Sequence, residues 1–108
     1  ANLGDGIFPA VEYGAAGGRY GVGSDSNVLI SAFEELRILE YGQRLKHRRR
    51  NRLTGATSSL GRSLWDAACS GGAQAAGRPI GRLAPGASAD FLVLDTDHVA
   101  LTGRTGDA

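Results

Sequence analysis

Asp25 is the residue from which chemistry is most readily built, because it stands in the polar run Gly23-Ser24-Asp25-Ser26-Asn27, directly after an alternation of glycine with Tyr20 and Val22. A carboxylate in that position serves as a loop or helix-capping acceptor, or as a metal ligand and proton acceptor. Ser26 and Asn27 are polar groups that either contact a substrate or form the loop itself. Asn2 and Asp5, in the glycine-broken segment Asn2-Leu3-Gly4-Asp5-Gly6, face the same two alternatives. His47 lies in a basic stretch and His98 near the other end of the chain, so no pair of histidines has metal-ligand spacing. Cys69, in an alanine-rich stretch with no histidine close in sequence, reads as a small buried hydrophobe rather than a nucleophile.

The elements that must position these groups are α/β in character. Pro9 to Ala16 suits a short helix ended by Gly17-Gly18, and Arg19 to Gly23 then reads as a strand whose C-terminal end delivers Asp25. Ser31-Ala32-Phe33-Glu34 is a capping box opening a helix that runs to about Arg49, with Phe33, Leu36, Ile38, Leu39, Tyr41 and Leu45 as its apolar stripe. Ser59 caps a further helix with Leu60, Leu64, Trp65 and Ala68 on one face, bent at Gly71-Gly72 and stopped by Gly77. Beyond Pro79 the pattern changes to short strands, Ile80 to Leu83 and a buried Phe91 to Leu94, around a turn at Pro85-Gly86. The shift near Arg78 divides residues 1–78 from residues 79–108.

Composition excludes several classes. With 108 residues, 42% hydrophobic and 21% charged, the chain is an ordinary globular sequence about one domain long. A net charge of +1 gives no general attraction to nucleic acid or to an anionic membrane, and no apolar run approaches a membrane span. The cluster from Arg44 to Arg52 is the one feature that suits RNA; as a helix C-terminus its cations complement the helix dipole, and no aromatic residue interleaves to stack bases. A single cysteine fits a reducing cytoplasm.

The segment from Gly77 to Asp95, including Pro85-Gly86 and Ala89-Asp90-Phe91-Leu92-Val93-Leu94-Asp95, resembles the passage of amidohydrolase-superfamily enzymes from their (β/α)8 barrel into a small β-sandwich. Gly23-Ser24-Asp25 matches the end of that superfamily's last barrel strand, and barrel enzymes build their sites at strand C-termini. Asn2-Leu3-Gly4-Asp5-Gly6-Ile7-Phe8-Pro9-Ala10, Glu34-Glu35-Leu36-Arg37, Glu40-Tyr41-Gly42-Gln43-Arg44 and Gly71-Gly72-Ala73-Gln74-Ala75 are similar to the formimidoylglutamate deiminases of histidine degradation.

The resemblance implies a C-terminal part of a TIM-type barrel over residues 1–78 and a partial β-sandwich over 79–108. It implies an enzyme converting N-formimidoyl-L-glutamate to N-formyl-L-glutamate and ammonia, with other deaminases of the superfamily, acting on purines or triazines, as the neighbouring possibility. A non-catalytic RNA-binding or interaction module built on residues 44–52 is the alternative from another class. In the family, an aspartate matching Asp25 binds one divalent metal, expected to be zinc, and helps activate its water. The family's His-x-His pair and middle-strand histidines have no counterpart in His47 or His98. The chain is therefore expected to be a fragment of a cytoplasmic homo-oligomer with a small-molecule substrate and neither nucleic-acid nor membrane partners. By itself it is expected to hold no zinc and to show no activity.

Overall fold

Serines and glycines set the helix boundaries. In a computed structural model of the chain, which describes residues 3–55 and 59–106, helix α1 spans Ala10–Ala15, α2 spans Ala32–His47 and α3 spans Leu60–Ala76, with a 3-10 turn at Val99–Leu101. Ser31 Oγ accepts the N–H of Glu34, and Ser59 Oγ accepts that of Arg62, so both long helices begin where the capping serines place them. Glu34 does not complete the reciprocal half of the expected box; its carboxylate pairs with Arg37 one turn on. Gly17 and Gly77, at φ of 80° and 61°, end α1 and α3. Behind them the N–H groups of Gly18 and Arg78 reach back to the carbonyls of Tyr13 and Ala73, the six-to-one closure of a Schellman motif. α2 stops two residues short of the expected Arg49, because Arg48 turns into the left-handed region at φ 52°.

The expected strands are not formed: among the described residues, neither 19–23 nor 80–83 nor 91–94 takes part in a β-ladder. A strand is completed by a ladder of backbone hydrogen bonds to a neighbouring strand, and these segments find no such ladder partner among the described residues. Among the described residues, the helical part of the α/β expectation is therefore the part that forms. Phe91 to Leu94, expected as a buried strand, is instead 63–85% exposed. Pro85-Gly86 does make the expected turn, with Gly86 at φ 82° and Ala87 N–H on the carbonyl of Ala84.

Two polar side chains of α2 tie the chain together. Glu40, 1% exposed, accepts from Arg44 Nε at 2.7 Å and from the backbone N–H groups of Arg52 and Leu53 at 3.0 and 2.9 Å, which folds the loop after α2 back against the helix. Gln43, equally buried, donates from Nε2 to the carbonyl of Phe8 at 2.6 Å, fastening the segment before α1. Lys46 reaches Glu12 of α1 at 2.9 Å. Its ammonium hydrogen bond holds the Glu12 carboxyl below the usual range.

The apolar core is small: among the described residues, Ala10, Leu36 and Leu64 are its buried members, at 4–5% exposure. Phe33, Tyr41 and Leu45, on the stripe expected to face inward, remain 51–77% exposed, although Phe33 stacks on Trp65 with ring centroids 5.1 Å apart. The radius of gyration of 14.9 Å exceeds the ~13 Å of a compact domain of this length.

α3 is continuous through Gly71-Gly72, and only the first of these glycines needs to lack a side chain. A Cβ on Gly71 would collide with the carbonyl of Tyr20, whereas one on Gly72 would meet nothing within 4 Å. Thus Gly71→Ala is expected to destabilise by about 1–3 kcal/mol through overpacking. Gly72→Ala is expected to stabilise by roughly 0.5–1 kcal/mol, the helix-interior advantage of alanine. Urea midpoints that move in the same direction for both variants would refute the close-approach reading.

Candidate functional site

The turn that carries Asp25 follows from its own residues. Asn27 N–H donates to the Ser24 carbonyl at 2.6 Å, closing a tight turn in which Asp25 sits at φ 42°. Aspartate and asparagine tolerate that left-handed region better than most residues, at a modest cost in strain. Asn27 Nδ2 donates to Glu35 Oε1 at 2.6 Å, so the far side of the turn is fastened to the first turn of α2.

The turn opens on a cavity of about 240 Å³ whose other wall is the segment Leu3 to Gly6. Four of the residues singled out by sequence, Asp5, Asp25, Ser26 and Asn27, line this one cavity together with Ser24 and Glu35. Asn2 lies outside the described residues. Asp5, Asp25 and Ser26 are exposed and Asn27 is half-buried, as suits groups at the mouth of a site. Glu35 is the wall residue that sequence reasoning passed over. Its signal was available only as one member of the Glu34-Glu35 pair, of which Glu34 was assigned the cap.

Neither histidine lines this cavity. His47 lies at the end of α2 with Nε2 3.8 Å from Glu12, and His98 Nδ1 accepts the N–H of Ala100. Among the described residues no three His, Cys, Asp or Glu side chains converge as a metal-binding set.

The basic run is partly engaged within the chain: Arg44 serves Glu40 and Asn51, and Lys46 serves Glu12. Arg48, Arg49 and Arg50 are exposed beyond the helix end. Cys69 is half-buried on α3, and burial, with the nearby Asp66 carboxylate adding to it, pushes its thiol pKa up. A raised pKa means less thiolate at neutral pH. Iodoacetamide alkylation of Cys69 is accordingly expected to rise with pH later than that of free cysteine (pKa ~8.5), and Asp66→Asn to bring the midpoint down slightly. A midpoint below that of free cysteine would restore the nucleophile reading.

A fold of capped helices packed beside unpaired segments, with a carboxylate turn at one end of such a segment, matches a known family. The model of the amidohydrolase family aligns with residues 1–106, and this chain belongs to that family. It is 60% identical over 109 aligned positions to a formimidoylglutamate deiminase of Pseudomonas aeruginosa, an alignment covering 100% of this chain and 24% of that enzyme. Its structure matches the crystal structure of an amidohydrolase from Brucella melitensis with a TM-score of 0.85 and 54% identity, covering 98% of this chain and 23% of that one. The chain thus spans about a quarter of the length of these relatives.

Proposed function

We propose that this chain is the part of a formimidoylglutamate deiminase that closes a (β/α)8 barrel, with residues 79–108 beginning a β-sandwich. The observation that carries the reading is the 60% identity across the whole chain to a formimidoylglutamate deiminase. The gathering of Asp5, Asp25, Ser26 and Asn27 around one cavity supports it. The reaction is hydrolysis of the amidine of N-formimidoyl-L-glutamate to N-formyl-L-glutamate and ammonia, in a cytoplasmic enzyme.

A divalent metal, zinc on this reading, supplies a water reactive at neutral pH and charge stabilisation when bound. Asp25 would contribute one carboxylate oxygen to it. The second oxygen of Asp25 accepts the proton lost as water adds to the amidine carbon, and returns a proton to the departing nitrogen. Asp25 is suited to proton transfer because it is exposed at the cavity mouth, where a water can reach it. Ser26, Asn27, Asn2 and Asp5 are the substrate-contacting candidates. The exposed apolar faces of α2 are read as surfaces covered by the rest of the barrel and by further subunits of a homo-oligomer.

In the full-length enzyme, Asp25→Asn is expected to lower kcat by about 10²–10⁴-fold, the scale of lost general acid–base catalysis. It is also expected to reduce zinc content, with the circular-dichroism spectrum unchanged. Asparagine is the variant of choice because it tolerates the φ of 42° at this position, so the result reports the carboxylate rather than the turn. Full ammonia release by this variant would remove Asp25 from the mechanism.

A second expectation concerns residues 1–108 alone, where one aspartate cannot substitute for the three protein ligands a catalytic zinc normally requires. No ammonia release and no stoichiometric zinc uptake by calorimetry are expected. Turnover by the isolated chain would show that the reacting groups are all contained in it.

A further inference from the structure

We infer that Glu35 is a positioning residue for Asp25, acting through Asn27; this rests on the reading of Asp25 given above. Asp25 sits in the left-handed region, and a turn of that kind keeps its geometry only where its surroundings over-determine it. Two of the hydrogen bonds that hold it run through Asn27: its N–H to the Ser24 carbonyl, and its Nδ2 to Glu35 Oε1 at 2.6 Å. The second is the only one of the two that reaches beyond the turn. Glu35 is half-buried in the first turn of α2, where a carboxylate complements the positive end of the helix dipole. Its place on the cavity wall beside Asp25 and Asn27 puts the anchor and the anchored turn within one site. The helix thereby transmits its rigidity to the carboxylate without Glu35 touching the reacting atoms.

The chemistry at Glu35 requires an acceptor oxygen and not a charge, which separates its two informative variants. Glu35→Gln keeps an oxygen to accept from Asn27, whereas Glu35→Ala leaves the amide without a partner. Removing a group that orients a metal ligand typically lowers activity or metal affinity about 10- to 100-fold. The full-length enzyme is the test system, with kcat and KM, zinc retained after dialysis, and deuterium exchange of residues 24–27 as readouts.

Expected results are a kcat loss of about 10- to 100-fold with little change in KM for Glu35→Ala. Zinc retention should fall in parallel, and exchange across the turn should quicken. Glu35→Gln should recover most of each. Glu35→Ala combined with Asn27→Ala should be no worse than Asn27→Ala alone, because both break one linkage. Glu35→Ala that lowers only the melting temperature, leaving kcat and zinc at wild-type values, would overturn the proposal, as would multiplicative losses in the double variant. Asp25→Asn with wild-type zinc and turnover would instead sink the reading of Asp25 itself, and the Glu35 proposal with it.

Discussion

Glu40 brings a carboxylate into a place only 1% exposed, where an unmatched charge would cost several kcal/mol. It is tolerated because three N–H groups converge on it, from the Arg44 side chain and from the backbone of Arg52 and Leu53. The consequence is topological as well as energetic. The chain leaving α2 cannot run on into solvent without abandoning a buried carboxylate, so it turns back at Asn51 in a left-handed conformation with φ 52°. That reversal sets the point from which the loop leads to α3. The same charge lies near Tyr20, whose hydroxyl pKa is raised by burial first and by Glu40 second, so the phenol stays neutral against the helix.

Around this polar centre the apolar packing is incomplete. Cavities of about 470 and 620 Å³ flank α2, one on the side of α3 and the other on the side of the segments 6–8 and 20–23. Large side chains such as Leu45, Val28 and Ile30 remain 77–89% exposed. On the reading of this chain as a quarter of a barrel enzyme, the deficit is what a helix designed to lie on a closed sheet must show when most of that sheet is elsewhere. Its polar anchors are satisfied within the chain, while much of its apolar stripe stays exposed.

How much was legible in the sequence follows from the range of each interaction. Caps are local, and Ser31, Ser59, Gly17 and Gly77 all act where their sequence context places them. Strands are not local: Arg19 to Gly23 and Phe91 to Leu94 have strand composition, but a ladder needs a second segment beside the first, which no periodicity can supply. The apolar stripe of α2 correctly signals a helix, yet it cannot say that Glu40 and Gln43 would be more buried than Tyr41 and Leu45. Polar residues on a buried surface contradict the pattern from which burial is read. The reading of Asp25 rests on the resemblance of its neighbours, and the bond from Asn27 to Glu35 was not legible, because Asn27 belongs to a loop whose conformation the sequence left open.

The cavity wall shows why one helix matters to both sides of the site. Gln43 holds the carbonyl of Phe8 and so steadies the segment that carries Asp5; Glu35 holds Asn27 and so steadies the turn that carries Asp25. The two anchors are eight residues apart on α2, about 12 Å along a helix that rises 1.5 Å per residue. Their separation is fixed by the helix alone, independently of how the flanking segments wander. The two acidic residues therefore belong to segments with no regular structure of their own, yet both segments are referred to the same rigid frame. The helix thus gives both irregular segments a common reference.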